Sequence, residues 1–90
     1  NNGIVLTMPK VLFEKGYRFF FFSNEGNPIE PCHIHITKNG NLAKYWIKDS
    51  AELSDSYGFS AKELSEIELI ANKNLNLIKE AWNEFFKGKC

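Results

Sequence analysis

The dipeptide Asn39-Gly40 is the feature that most constrains the fold of this chain of 90 residues. It separates two β-prone runs, residues 32–38 and 41–48. Asn-Gly favours a two-residue type I′ turn, in which both central residues take positive φ. The sequence therefore predicts a hairpin in which Lys38 faces Asn41 and, further along, Ile34 faces Tyr45.

This register predicts what each face of the hairpin carries, because side chains alternate across a strand. One face is apolar and is expected to face the core: Ile34, Ile36, Ala43, Tyr45 and Ile47. The other face is basic, aromatic and titratable: His33, His35, Lys44, Trp46 and Lys48. On that second face His33 is predicted to lie opposite Trp46, and His35 opposite Lys44.

The rest of the chain predicts more strands and then helices. Residues 11–14 and 17–23 are β-prone and flank a turn at Lys15-Gly16, whereas residues 49–58 are polar and are expected to be irregular. Helical periodicity covers residues 60–72 and 75–87, and Gly88 is the expected stop. Ser60 and Glu63 have the spacing of a capping box. We predict an α+β fold with two layers: a roughly four-stranded antiparallel sheet followed by two C-terminal helices.

Composition limits the possible functions. Eleven basic residues balance eleven acidic ones, which argues against bulk electrostatic capture of nucleic acid or of an anionic membrane. No apolar run approaches a membrane span, so no membrane partner is expected. Cys32 and Cys90 make no disulfide framework; Cys32 reads as a packing residue and Cys90 as a frayed terminus, which favours a cytoplasmic location. Residues 9–88 are expected to form one domain, and residues 1–8 an uncertain N-terminal extension.

Several segments together resemble a known family. They are the aromatic strand at 17–22, the Pro31-Cys32-His33-Ile34-His35 segment, the Ala43–Trp46 run and the Trp82 helix. The chain resembles the small bacterial domain-of-unknown-function family numbered 4160, whose members carry a Pro-Pro-His-x-His signature. Cys32 stands where that signature has its second proline. The genes of this family often lie beside another small gene in arrangements similar to toxin–antitoxin pairs, which implies a module that acts with a protein partner.

Three interpretations of the His33 and His35 face remain open. The two imidazoles could bind a divalent metal together with Glu25. They could instead cleave RNA by acid–base chemistry, with Lys44 and Arg18 holding phosphate and with Trp46 and Lys48 binding the nucleic acid. The third interpretation is a surface for self-association or for a small protein partner.

We predict from this a bacterial module that acts through a protein partner, with no cofactor. The runner-up is a small ribonuclease or metal-dependent hydrolase that uses the same face. In that case His33, His35, Arg18 and Lys44 are the catalytic candidates, while Trp46, Lys48 and Glu25 are the binding candidates. Whether the chain is an enzyme stays open at this point.

Overall fold

A computed structural model of the chain describes residues 10–23 and 30–90. It consists of a five-stranded antiparallel sheet, with the strands in chain order, and two C-terminal helices. The strands are β1 (Lys10–Glu14), β2 (Tyr17–Phe20), β3 (His33–Lys38), β4 (Asn41–Ile47) and β5 (Ala51–Tyr57); the helices are α1 (Ala61–Lys73) and α2 (Leu75–Phe86). The predicted α+β class is confirmed, with one strand more than expected.

Both predicted hairpin turns are present. Asn39 and Gly40 have φ values of 51° and 81°, and Lys15 and Gly16 have 54° and 83°. Two consecutive positive φ angles are the signature of a type I′ turn, which matches the twist of the flanking strands. The predicted β3–β4 register is confirmed at every pair from Lys38↔Asn41 to His33↔Trp46.

The prediction that residues 49–58 are irregular is wrong, because β5 pairs with β4 there. Ala51 is the one buried residue of β5, and the six that follow it are exposed. A strand with so few buried positions has no alternating apolar pattern, which is the signal that sequence reasoning depends on. β5 forms an edge of the sheet, and a register shift interrupts its pairing with β4 beside Lys44.

The two helices begin and end close to their predicted limits. Ser60 and Glu63 form the predicted capping box: the Glu63 amide donates to Ser60 Oγ at 3.1 Å, and the Ser60 amide donates to Glu63 Oε1 at 2.9 Å. Asn74 separates α1 from α2 and donates from its side chain to the Ile70 carbonyl at 2.8 Å. At the end of α2 the residue in the left-handed conformation is Lys87, not the expected Gly88.

The helices cover one face of the sheet, which we call the inner face. The predicted core residues Ile34, Ile36, Ala43, Tyr45 and Ile47 are all buried there. The Tyr45 hydroxyl donates to the Leu64 carbonyl of α1 at 3.1 Å, and burial, followed by the charge of Glu68, raises the pKa of Tyr45 to about 12.

Tyr17 makes a second hydroxyl contact between the sheet and α1. It is fully buried and donates to Glu66 Oε1 at 2.7 Å. Burial first, and then this hydrogen bond, raise the pKa of Tyr17 well above its ordinary value. The same bond holds the pKa of Glu66 below its usual range. The contact therefore favours a neutral tyrosine beside an ionised carboxylate.

The two cysteines form a disulfide, contrary to the expectations for both of them. Cys32 and Cys90 are bonded, with their Cα atoms 4.9 Å apart and a sequence separation of 58. The C-terminus is therefore tied to the beginning of β3 and is not frayed. Because disulfides persist in oxidising compartments and are rare in the cytoplasm, the cysteines no longer support a cytoplasmic location.

No helix within residues 10–23 and 30–90 is long and apolar enough to cross a membrane.

Candidate functional site

The face of the sheet opposite the helices, which we call the outer face, carries the predicted site residues. Its side chains form rows across the strands, because directly paired residues point to the same side. The row nearest the two type I′ turns, which we call the turn-end row, runs through all five strands: Phe13, Arg18, Thr37, Leu42 and Tyr57. Phe13 is 59% exposed, Leu42 38% and Tyr57 76%.

The next row is centred on His35, which pairs with Phe20 on one side and with Lys44 on the other. His35 is 7% exposed. Its ring centroid lies 5.7 Å from that of Phe20 and 4.6 Å from that of Phe22. Asp55 completes the row on β5, opposite Lys44. His35, Lys44 and Asp55 border a shallow cleft of about 160 Å³.

The third row contains His33, which is fully buried. Its ring lies 5.1 Å from that of His35 and 5.7 Å from that of Trp46. The β2–β3 pairing ends at Phe20↔His35, so His33 has no paired residue on β2. The Trp82 ring of α2 lies 5.2 Å from the His33 ring. His33 Nδ1 is 2.8 Å from the Pro31 carbonyl, a contact in which the ring nitrogen donates. In a neutral imidazole that donates from Nδ1, Nε2 is the acceptor nitrogen.

The two lysines of the predicted face make ion pairs. Lys44 Nζ lies 3.4 Å from Glu30 Oε1 and 4.4 Å from the centroid of the Trp46 ring. Lys48 follows the end of β4 and lies 3.2 Å from Glu52 Oε1, in an exposed pair. Lys44 is thus held against an aromatic ring and a carboxylate, and its side chain is only 25% exposed.

Comparison with known families adds the identity of the domain. Residues 16–83, more than half of the chain, match the sequence model of the family described as Domain of unknown function (DUF4160). The chain belongs to the DUF4160 family. No curated protein and no solved structure matches it. The match covers β2 to β5 and α1, and it ends within α2, so β1 and Cys90 of this DUF4160 chain lie outside it.

The DUF4160 chain brings together most of the residues predicted from the sequence. His33, His35, Lys44 and Trp46 share the outer face. Arg18, whose face the sequence does not decide, lies there too, opposite Thr37 and one row from His35. Glu25 lies outside the described residues. Their catalytic and binding roles stay predictions.

The metal interpretation also stays a prediction. Within the described parts of the chain no group of three or more His, Cys, Asp or Glu residues could hold a metal ion. The predicted third ligand, Glu25, belongs to the part that is not described. Of the two predicted imidazole ligands, His33 uses Nδ1 to contact the Pro31 carbonyl, so only its Nε2 could face a metal.

Sequence reasoning missed the exposed part of this DUF4160 face. Phe20, in the aromatic run of β2, is only 5% exposed. The exposed large apolar residues of the outer face are Phe13, Leu42 and Tyr57. Leu42 could have been found from the Asn39-Gly40 register, which places it opposite Thr37. Tyr57 and Asp55 could not, because the strand that carries them has no apolar alternation.

Proposed function

We propose that this DUF4160 chain is a protein-binding module that acts through the turn-end row of its outer face, as one half of a toxin–antitoxin-like pair. The observation that carries the proposal is the exposure of Phe13, Leu42 and Tyr57 in a single row. Four inter-strand spacings of ~4.8 Å make this row ~19 Å wide, which suits contact with another protein surface. Exposed apolar side chains that are grouped on one face, unlike those scattered singly, mark surfaces that bind other proteins.

The burial of the two histidines supports the same proposal. His33 is fully buried and His35 is 7% exposed, and their rings pack against Phe20, Phe22, Trp46 and Trp82. A dissolved substrate has little access to such buried rings. Packing between buried aromatic rings instead stabilises the sheet. The histidines therefore fit best as packing residues beside the binding surface, which they help to hold in place.

Binding can be tested with the product of the neighbouring gene that the family resemblance implies. We expect the purified pair to form a complex, and the double variant Leu42→Ser/Tyr57→Ser to weaken it at least ~10-fold, measured by calorimetry. The matched control is Leu69→Ser/Leu77→Ser, which removes two comparably exposed apolar side chains from the helices. Equal loss in both double variants would contradict the use of the outer face.

The toxin–antitoxin part of the proposal needs a growth measurement. We expect that inducing one of the two proteins alone arrests bacterial growth and that inducing both restores it. Leu42→Ser/Tyr57→Ser should abolish the restoration. If neither protein affects growth, the toxin–antitoxin part is wrong, whereas the binding part rests on the calorimetry. Histidine variants are a poor choice here, because both side chains are buried.

A ribonuclease or hydrolase is the second candidate, favoured by the cleft that His35, Lys44 and Asp55 border. His35 would take the proton of the 2′-hydroxyl that attacks the phosphorus and return a proton to the departing 5′-oxygen, and Lys44 would hold a phosphate oxygen. Lys44→Gln should then abolish cleavage of a single-stranded RNA, while Lys62→Gln, on an exposed lysine of α1 away from the cleft, should not. RNA cleavage that survives Lys44→Gln would contradict this candidate. Metal analysis of the purified protein tests the divalent ion at His33, His35 and Glu25.

A further inference from the structure

The outer face is polarised in charge from one edge of the sheet to the other. On its β1–β2 side Lys10 and Arg18 are exposed, and no carboxylate of residues 10–23 or 30–90 pairs with either of them. Together with Phe20 and Thr37 they line a cleft of about 270 Å³ that no acidic residue borders. This side therefore presents positive charge that the described chain does not neutralise.

The β4–β5 side has the opposite character. Its cations Lys44 and Lys48 are already paired, with Glu30 and Glu52. Asp55 is exposed, and the hydrogen bond recorded for its carboxylate comes from the amide of its neighbour Ser56. No cation of the described residues pairs with Asp55. The remaining charge on this side is negative.

The apolar side chains of the turn-end row are divided in the same way. Phe13 lies on β1 at one edge, while Leu42 and Tyr57 lie on β4 and β5 at the other. Consider two copies whose outer faces are in contact and are related by a two-fold axis that runs between them, parallel to β3. This axis places β1 of one copy over β5 of the other. Phe13 then faces Tyr57 of the other copy, and Lys10 and Arg18 lie near its Asp55. The operation generates each contact twice.

We propose that the outer face binds a second copy of this chain in this two-fold arrangement, with the β1–β2 half of each copy against the β4–β5 half of the other. The inference rests on the proposed function, because it uses the same face, and it adds a second copy of the chain as an occupant distinct from the neighbouring gene's product. A dimer about the perpendicular axis would place Lys10 and Arg18 over their own counterparts, and like charges in contact oppose association. The polarity of the face thus selects one axis.

The small size of the exposed surface limits the affinity of the dimer. Phe20, His33 and His35 are buried already, so the contact is limited to the turn-end row and the charges beside it. Stable interfaces use roughly 20–30 residues on each side, and this surface offers far fewer. We therefore expect reversible self-association that needs high protein concentration, and measurements up to millimolar protein are required.

Charge reversal tests the arrangement. In sedimentation equilibrium, Arg18→Glu and Asp55→Arg should each raise the dimer dissociation constant about 10-fold or more, because each variant places like charges across the interface. The combined variant Arg18→Glu/Asp55→Arg should restore association, since opposite charges again face each other. A mixture of the two single variants should associate more tightly than either alone. Both positions are exposed, and circular dichroism checks that the variants fold.

The matched controls are Lys62→Glu and Glu80→Lys, which reverse exposed charges on the helices and should leave the dissociation constant unchanged. A wild type that stays monomeric at millimolar concentration overturns the inference, and so does a dimer indifferent to Arg18→Glu. A monomer that binds single-stranded RNA through Arg18 assigns the cations to nucleic acid and also overturns it. Loss of neighbour-protein binding by Leu42→Ser/Tyr57→Ser would still support the proposed function in each of these cases.

Discussion

The two faces of the sheet are built from the same strands but differ in how far their side chains are buried by the rest of the chain. On the inner face the apolar residues of β2, β3 and β4 are buried, and the Tyr17 and Tyr45 hydroxyls donate to α1. On the outer face the centre is buried, while the turn-end row leaves Phe13 and Tyr57 exposed. The inner face therefore accounts for the stability of the fold, and the outer face offers surface that the described chain does not use.

The two faces are expected to respond differently to substitution. Packing between the sheet and the helices buries the apolar inner-face side chains of β2, β3 and β4, so a change there is expected to act through stability. An exposed side chain of the turn-end row contributes little to folding, because water reaches it in the folded state. Substitutions on the two faces should consequently separate stability from binding.

The largest effect is expected at Trp82, which is fully buried and whose ring lies 4.3 Å from Phe86 and 5.4 Å from Phe21. Trp82→Ala should lower the free energy of unfolding by about 3–5 kcal/mol, measured by urea denaturation. Trp82→Phe should cost much less, because no described residue accepts a hydrogen bond from the buried Trp82 Nε1. A loss below ~1 kcal/mol for Trp82→Ala would contradict the role of the inner face.

The disulfide comes next, since it ties the end of the chain to the start of β3. Reduction, or Cys90→Ser, should lower the free energy of unfolding by about 2–4 kcal/mol, because a cross-link over 58 residues restricts the unfolded chain. Thermal unfolding with and without dithiothreitol measures the effect. The Cys90→Ser variant is the control: its stability should not respond to the reductant. Equal stability of the oxidised and reduced wild type would show that the bond contributes nothing.

The buried tyrosines predict a response to alkali. The pKa of Tyr45 is raised from 10.0 to about 12 in the folded protein, so the unfolded chain loses this proton first as pH rises. The stabilisation that comes from the raised pKa should be fully present below pH 10. The free energy of unfolding should then fall between pH 10 and 12, by at most ~1.4 kcal/mol per pH unit for each such tyrosine. Tyr45→Phe should flatten this fall in urea titrations. An unchanged slope would assign the response to other groups.

The smallest effect on stability is expected on the outer face. Phe13→Ser and Tyr57→Ser should each change the free energy of unfolding by no more than ~0.5 kcal/mol, since both side chains are largely exposed. Urea denaturation at low protein concentration, where self-association is negligible, is the measurement. A loss above ~1.5 kcal/mol would mean that the turn-end row is part of the folding core.

The extent to which the sequence predicts this fold depends on how local each signal is. Asn39-Gly40 places six residue pairs correctly, because a tight turn determines the register of its whole hairpin. Ser60 and Glu63 likewise predict the start of α1 from contacts three residues apart. β5 escapes prediction because its exposed residues show no period, and its pairing with β4 is decided by backbone hydrogen bonds.

The sequence predicts which residues share the candidate site, but it does not predict how far their side chains are buried. The register alone places His33 and His35 on one face, but it does not reveal that Phe20 and Phe22 pack against His35. The disulfide is equally remote from local signals, since Cys32 and Cys90 are 58 positions apart in the sequence and the sheet and both helices lie between them. Tertiary packing decides both features.

The most direct test of the account is an amide NMR spectrum recorded over a dilution series from millimolar to micromolar protein. We expect concentration-dependent shifts at Phe13, Arg18, Thr37, Leu42 and Tyr57, with the outward positions of α1 and α2 unchanged. Shifts centred on Leu69 and Leu77 of the helices, or no shifts at all, would contradict the claim that the turn-end row of the outer face binds a second copy.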